Sequence, residues 1–313
     1  MRIVFMGSAG FACPCLEALL VSPGDEVVAV VTQPDRPKGR HLSVSPCPVK
    51  AYLGVRSIPV LTPENINTPE SLETLRSLRP DLIVVVAYGQ LLKRSILDLP
   101  PLGCINVHGS LLPKYRGAAP IQWAVAEGET VSGVTTMFLS ARMDAGDMIL
   151  KRDVAIEPGD TGGTYHDKLA VAGAAVLRET VDLIRYQKAP RVAQDETQTT
   201  HAPKLKKVDG GIDWTRPAAA IESRVRGFTP WPGSFCSLSG NAHAHLKVLG
   251  VRIEPGHGLP PGVVCETGEA GPLIQAGDGH AIRLLMVQPE GRKPMKGADF
   301  LHGHPLHAGD QLG

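Results

Sequence analysis

The sequence predicts an α/β fold, in which an N-terminal doubly wound, mostly parallel sheet precedes a small C-terminal β-barrel. Three observations predict it. Over the first 150 residues, short Val/Ile-rich runs alternate with helical patterns, the arrangement of successive βα units. From Arg191 the chain turns polar and unperiodic. Beyond that stretch come several short apolar runs punctuated by Gly and Pro, as in small barrels.

The expected strands are Ile3 to Met6, Glu26 to Thr32, Leu82 to Ala87, Cys104 to His108 and Val134 to Leu139. Such near-continuous apolar runs suit parallel strands buried on both faces. Cys13 to Leu20, Pro48 to Leu53 and Pro69 to Leu78 are expected helices, each with Pro in its opening turn, where the missing N–H costs little. In open sheets of this kind ligands bind outside the carboxyl ends of the strands, so a site is expected just after Ala87 and around His108. A long helix is expected over 164–187, with Leu169, Leu177, Val181 and Ile184 on its apolar side, ending at Lys188-Ala189-Pro190. The domain boundaries that follow are 1–188 for the first domain, 189–207 for an extended linker and 208–313 for the barrel, whose strand-like runs begin at Phe235, His245, Gly262, Leu273 and Ala281.

Composition bounds the function. A chain of 313 residues with 43% hydrophobic and 20% charged side chains has an ordinary globular make-up and room for about two domains. A net charge of +1 supplies no global pull toward nucleic acid or membrane, so any polyanion site is local. One candidate is the stretch 188–226, with eight Lys/Arg against five Asp/Glu, although a solvated face explains it equally well. Apolar runs are too short for a membrane span, and Met1-Arg2 leads into a strand rather than a signal peptide, so a cytoplasmic protein is expected. The six Cys form no CxxC pair and are expected as buried free thiols.

Chemistry concentrates in a few segments. Gly7-Ser8-Ala9-Gly10 follows the first strand, but the GxGxxG pattern is incomplete and a tight strand-to-helix turn explains it. In Cys104-Ile105-Asn106-Val107-His108, alternation sends Asn106 and His108 to one side at the strand's carboxyl end. An imidazole relays protons near neutral pH and an amide NH2 donates to a developing oxyanion, so the pair suits acyl transfer to an amine. A lone His would be more simply structural, and a third group is needed. Asp144, in Met143-Asp144-Ala145-Gly146-Asp147, could return to the same sheet edge and stabilise an imidazolium. Asp147 is expected to cap or solvate the turn. No metal is expected, because the His residues are dispersed and His302, His304 and His307 lie in a Gly-containing tail.

The runs from Asn106 to Pro113, Tyr115 to Pro120 and Asp144 to Asp147 resemble the signature of the folate-dependent formyltransferases. Thr32 to Arg40, Val85 to Gly89 and Pro230-Trp231-Pro232 extend the similarity over nearly the whole chain, toward the branch whose acceptor is methionine esterified to initiator tRNA. The resemblance implies a Rossmann-like formyltransferase domain followed by an OB-like, tRNA-binding barrel. It implies Asn106, His108 and Asp144 as the catalytic residues. The formyl donor, 10-formyltetrahydrofolate, would be held partly by Ser110, Leu111, Leu112 and Pro113 and by the loop at Tyr88 and Gly89. Arg36, Lys38 and Arg40, in a loop spanning Pro34 to Pro48, and Lys204, Lys206 and Lys207 would contact tRNA phosphates. A monomer is expected, with initiator methionyl-tRNA and the folate donor as partners and no membrane.

Two departures stand out. Gly7-Ser8-Ala9-Gly10-Phe11-Ala12 replaces the family's Gly-Thr-Pro-x-Phe-Ala, and few basic residues lie between Arg40 and Lys50. Two rival readings share these motifs: a formyltransferase acting on an amino-sugar nucleotide, and a non-catalytic tRNA-binding module. The Gln33 to Pro37 segment favours tRNA over the sugar, and a formyl-transfer assay separates enzyme from module.

Overall fold

The computed structural model describes residues 1–38, 43–238 and 241–313. Two compact units divide the chain: one is Met1–Pro120, Val131–Ala155 and His166–Ala202, the other Ile121–Thr130, Ile156–Tyr165 and Pro203–Gly313.

The first elements are β1 (Arg2–Gly7), α1 (Ala12–Leu20), β2 (Glu26–Val31), β3 (Arg36–Lys38), β4 (Ser43–Ser45), α2 (Pro48–Leu53), β5 (Val60–Leu61), α3 (Pro69–Ser77), β6 (Leu82–Val86), α4 (Arg94–Leu97) and β7 (Cys104–His108). They are followed by β8 (Arg116–Gly117), α5 (Pro120–Ala126), β9 (Val131–Phe138), β10 (Met148–Ala155), α6 (Gly162–Arg185) and β11 (His201–Ala202). Seven strands form one sheet in the order β10-β9-β7-β6-β1-β2-β5. Strands β5, β2, β1, β6 and β7 are parallel. The chain runs outward from β1 to β5 and then crosses to β6 on the other side of β1, so strand order reverses between β1 and β6. This reversal opens the crevice in which such sheets bind ligands.

Burial explains why these runs are strands. All five residues of β6 and Ile3 to Met6 of β1 are buried, as continuous β-branched and aliphatic runs require. Helix α3 begins as its sequence demands: Thr68 accepts a hydrogen bond from the Ser71 amide at 3.2 Å, and Pro69 takes the first helical position. Along α6, Leu169, Leu177, Val181 and Ile184 all face inward.

The expected parallel sheet is modified at one edge. Strand β9 lies antiparallel to β7 and forms a hairpin with β10, which the sequence pattern does not announce. A run buried on both faces fits either strand direction. β10 carries exposed Lys151-Arg152-Asp153 on an edge, which hides its strand character. Helix α5 is likewise absent from the expected elements.

Residues 191–202, expected to be part of an extended linker, include a single 3-10 turn at Glu196–Gln198 and are fastened to the first unit. Val192 bridges Met148, and β11 runs parallel to β8 with His201 opposite Arg116 and Ala202 opposite Gly117.

The second unit contains α7 (Ala218–Gly227), β12 (Ser234–Leu238), β13 (Asn241–Pro255), β14 (Val264–Glu266), β15 (Leu273–Gln275), β16 (His280–Pro289), β17 (Met295–Lys296) and α8 (Gly297–Gly303). Its antiparallel sheet has the order β12-β13-β16-β15-β14, with β17 on β16. This is compatible with the expected barrel, although among the described residues no rung joins β12 to β14. Trp214, Ile221, Val248, Ile282, Leu284 and Phe300 lie in its core. Helices α7 and α8, whose Ile221 and Phe300 reach that core, are also additions to the expected elements. All six cysteines are free thiols, and burial pushes those of Cys15, Cys104 and Cys236 up to about 12.

Candidate active site

Strand β7 places Asn106 and His108 on the same face, while Ile105 and Val107 are buried on the other. His108 is itself buried at 6% exposure. Its Nε2 lies 2.9 Å from the Tyr115 carbonyl, and because a carbonyl oxygen only accepts, that nitrogen carries a proton. Nδ1 is then the nitrogen left for chemistry. It lies 3.8 Å from Asp144 Oδ1, beyond direct hydrogen-bonding range but close enough for strong attraction to an imidazolium. Among the described residues, the Asn106 carboxamide has no hydrogen-bond partner.

Asp144 sits in the loop between β9 and β10, which the antiparallel register starts beside the amino end of β7, with Phe138 opposite Ile105, so the loop must fold back for the carboxylate to reach His108 at the strand's other end. Its backbone is in the left-handed region at φ 50°, which Asp tolerates better than most residues. The carboxylate is aimed by a main-chain donor: Gly117 gives its N–H to Oδ2 at 2.9 Å. Gly117 has φ 126°, and a Cβ there would stand 2.5 Å from the Ala202 carbonyl. A side chain at 117 is therefore incompatible with both the turn and the neighbouring β11. The sequence-predicted trio thus splits into two neighbours on one strand and a third residue delivered by a hairpin. Asp147 does not share this position; it faces Arg191 at 3.6 Å, and that guanidinium lies over the Phe138 ring.

The residues expected to hold a donor contribute more main chain than side chain. Ser110 is fully buried, and its hydroxyl donates to the Lys114 carbonyl at 2.6 Å. Thr135 donates to the Ser110 carbonyl at 2.7 Å and accepts from the Leu112 amide at 3.1 Å, which pins the loop to β9. Leu112 packs with Met137 and Met148, Pro113 is buried beyond a cis bond, and Leu111 is half-buried. The Tyr88 ring lies in the core, where burial pushes its hydroxyl up to about 12. Its carbonyl accepts from Ser8 Oγ at 3.2 Å and Gln33 Nε2 at 3.3 Å, knitting the three loops at the β1/β6 crevice together. Gly89 next to it is exposed with φ 92°, so the loop offers backbone to a ligand.

Of the basic candidates, Arg36, Lys204, Lys206 and Lys207 are solvent-facing. Arg36 in β3 pairs with Glu64 at 2.9 Å, Lys38 lies in the same strand, and Arg40 falls outside the described residues. Lys204, Lys206 and Lys207 are exposed; the Lys206 main-chain N–H donates to Asp209 Oδ2 at 2.6 Å, and among the described residues none of the three ammonium groups is in an ion pair.

Behind Asp144 lies a second layer, in which Arg116 of the motif is joined by Gln194 and Glu196, which the sequence motifs do not include. Arg116 is buried at 4% exposure; its Nε donates to Gln194 Oε1 at 2.9 Å, and its two terminal nitrogens reach Glu196 at 3.2 and 3.1 Å. Hydrogen bonds from Arg116 and Arg142 hold the Glu196 carboxyl below its usual range. Gln194 Nε2 donates to the carbonyls of Asp144 at 2.8 Å and Gly146 at 2.9 Å. Its sequence signal is only a polar Gln194-Asp195-Glu196-Thr197 run, which composition assigns to a solvated linker.

Comparison with known proteins agrees with this architecture. Residues 1–181 match the family described as "Formyl transferase", and 204–305 match "Formyl transferase, C-terminal domain". The chain is 48% identical over its full length to a protein of Geobacter sulfurreducens named methionyl-tRNA formyltransferase, covering 97% of that protein. It is 47% identical over its full length to the protein of that name from Moorella thermoacetica, covering 99% of it. Among solved structures, the sugar 3N-formyl transferase WlaRD superposes with a TM-score of 0.67 at 17% identity, covering 94% of this chain and 99% of that one. HypX from Aquifex aeolicus in complex with tetrahydrofolic acid gives 0.60 at 16% identity, covering 96% of this chain and 47% of that one. Those two share the fold, whereas the family models and the near-half identity of the relatives establish descent: the chain belongs to the formyl transferase family.

Proposed function

We propose that this chain transfers the formyl group of 10-formyltetrahydrofolate to the α-amino group of methionine esterified to initiator tRNA, giving N-formylmethionyl-tRNA for translation initiation. The observation that carries this reading is an unpartnered amide, a buried imidazole and a carboxylate grouped at the carboxyl edge of β7, in a chain 48% identical along its whole length to a protein named for that reaction.

The donor supplies a formyl carbon activated on folate N10. The exposed backbone at Gly89 beside the strand-order reversal suits a flat, amide-bearing ring. Attack by the amine builds negative charge on the formyl oxygen, to which the Asn106 amide donates. Such a donor is worth roughly 3 kcal/mol of barrier. His108 Nδ1 takes the proton leaving the amine while Nε2 stays tied to the Tyr115 carbonyl. Asp144 stabilises the resulting imidazolium, which returns the proton to N10 as the old bond breaks. One C–N bond forms, one breaks, one proton moves and no electron is transferred. Arg36, Lys38 and Arg40 in one unit, and Lys204, Lys206 and Lys207 in the other, are proposed to take tRNA phosphates.

Among the described residues no helix is long and apolar enough to cross a membrane. The proposal extends to a cytoplasmic monomer, with initiator methionyl-tRNA and the folate donor as partners. The test is transfer of a radiolabelled formyl group to purified methionyl initiator tRNA, with a 4-amino-sugar nucleotide as the competing acceptor. Labelled tRNA is the expected product. A labelled sugar nucleotide alone, or no product with either acceptor, overturns the reading.

A further inference from the structure

We infer that Gln194 is a positioning residue for catalysis, holding Asp144 in register with His108. The inference rests on the formyl-transfer reading above and extends it to a residue outside the sequence motifs.

Asp144 is held from two directions. A turn built on a non-glycine residue at φ 50° persists only where its surroundings fix it. Two restraints act here, on opposite ends of the residue. The carboxylate accepts from the Gly117 amide at 2.9 Å. The main chain is fixed by Gln194, whose single amide nitrogen spans the turn and donates to the carbonyls of Asp144 and Gly146 at 2.8 and 2.9 Å. Loss of either restraint frees the carboxylate to swing relative to Nδ1 of His108.

Gln194 is itself fixed. Arg116 donates to its Oε1, which leaves the NH2 end pointing at the turn with no ambiguity about which atom is which. Arg116 is in turn locked by the fork it makes with Glu196. The residue after that arginine is Gly117, the donor to Asp144. The two restraints therefore meet at one place in the chain: the side chain of 116 aims Gln194 at the turn's backbone, and the amide of 117 aims the turn's carboxylate. Gln194 is half-buried, and Gly146, whose carbonyl it holds, has no room for a side chain because a Cβ would run into the Phe138 carbonyl. The turn is closely packed on one side and clamped by Gln194 on the other.

A positioning role predicts a specific kinetic pattern. In the full-length protein, Gln194→Ala should lower kcat for formyl transfer to methionyl initiator tRNA by up to about a hundredfold, the scale set by ångström-level misplacement of a reacting group. The KM values for tRNA and folate donor should stay within about twofold of wild type. Gln194→Met, which keeps the length but removes both hydrogen-bonding atoms, should show the same loss and keeps the test sound if the alanine variant folds poorly. The decisive arm is the double variant. If Gln194 acts only through Asp144, then Asp144→Asn/Gln194→Met has the kcat of Asp144→Asn alone. A kcat within twofold of wild type for Gln194→Met, or losses that multiply in the double variant, overturns the inference. A wild-type protein that formylates no methionyl-tRNA overturns the underlying function instead, so the two failures are distinguishable.

Discussion

The amide of Gly117 and the carboxylate of Asp144, 27 residues apart in sequence, are joined by a 2.9 Å hydrogen bond that aims the carboxylate at the buried imidazole of His108. A main-chain donor cannot rotate away, so this restraint is as rigid as the backbone that carries it.

Gly117→Ala should therefore damage both stability and catalysis. Its Cβ would meet the Ala202 carbonyl at 2.5 Å, in a backbone region that L-residues avoid. The expected cost is about 1–3 kcal/mol, with kcat lowered beyond what the unfolded fraction explains. Denaturant melts and kinetics at saturating substrate check it. Unchanged kcat in the folded fraction would falsify the link between the amide and the carboxylate.

Removing the oxyanion donor or the proton carrier should affect turnover and leave tRNA binding alone. Asn106→Ala and His108→Ala are each expected to lower kcat by roughly 10²-fold to 10³-fold, with the Kd for tRNA within twofold of wild type. Filter binding beside steady-state kinetics separates the two effects. Equal losses in binding and turnover would contradict the assignment.

The lysines preceding α7 should behave oppositely. Lys204, Lys206 and Lys207 are exposed. Replacing all three with Ala should raise the KM for tRNA and flatten the dependence of log K on log salt by about one unit for each phosphate that is no longer neutralised, with kcat preserved. An unchanged salt slope means that these side chains touch no phosphate.

Acid should weaken the second unit through Glu254. Arg283 first and Arg252 second hold its carboxyl down from 4.5 to about 2. A carboxylate depressed in the folded state stabilises fully above its unfolded value and loses that contribution as pH falls toward the folded one. Tm should therefore fall as pH drops below about 4.5 toward about 2, and Glu254→Gln should reduce the fall. Parallel curves for the two proteins would show that the ion pair is not responsible.

Much of this molecule is legible in its residues. The runs at Ile3, Leu82 and Cys104 declare buried strands because nothing else consumes so many β-branched side chains in succession, and the period of α6 is written in Leu169, Leu177, Val181 and Ile184. Alternation alone puts Asn106 and His108 on one face. Strand direction is not written locally, so the antiparallel β9 is invisible there, and β10 is masked by the charges of an edge strand. Helix α7 is preceded by Pro217 and its hydrophobic positions are sparse, which gives local pattern reading little to seize. Gln194 cannot be found from sequence at all, because its meaning lies in carbonyls 48 and 50 residues away that only folding brings to it.

The pairing of β11 with β8 fixes where the first unit can be cut. A fragment ending at residue 188 would keep every motif residue of the site yet leave the guanidinium of Arg116 without Gln194 and Glu196, and would strip Gly117 of the strand that shields it. The last segment of the first unit runs to Ala202, not to 188. What composition marks as tether is, in mechanical terms, the last rib of the catalytic frame.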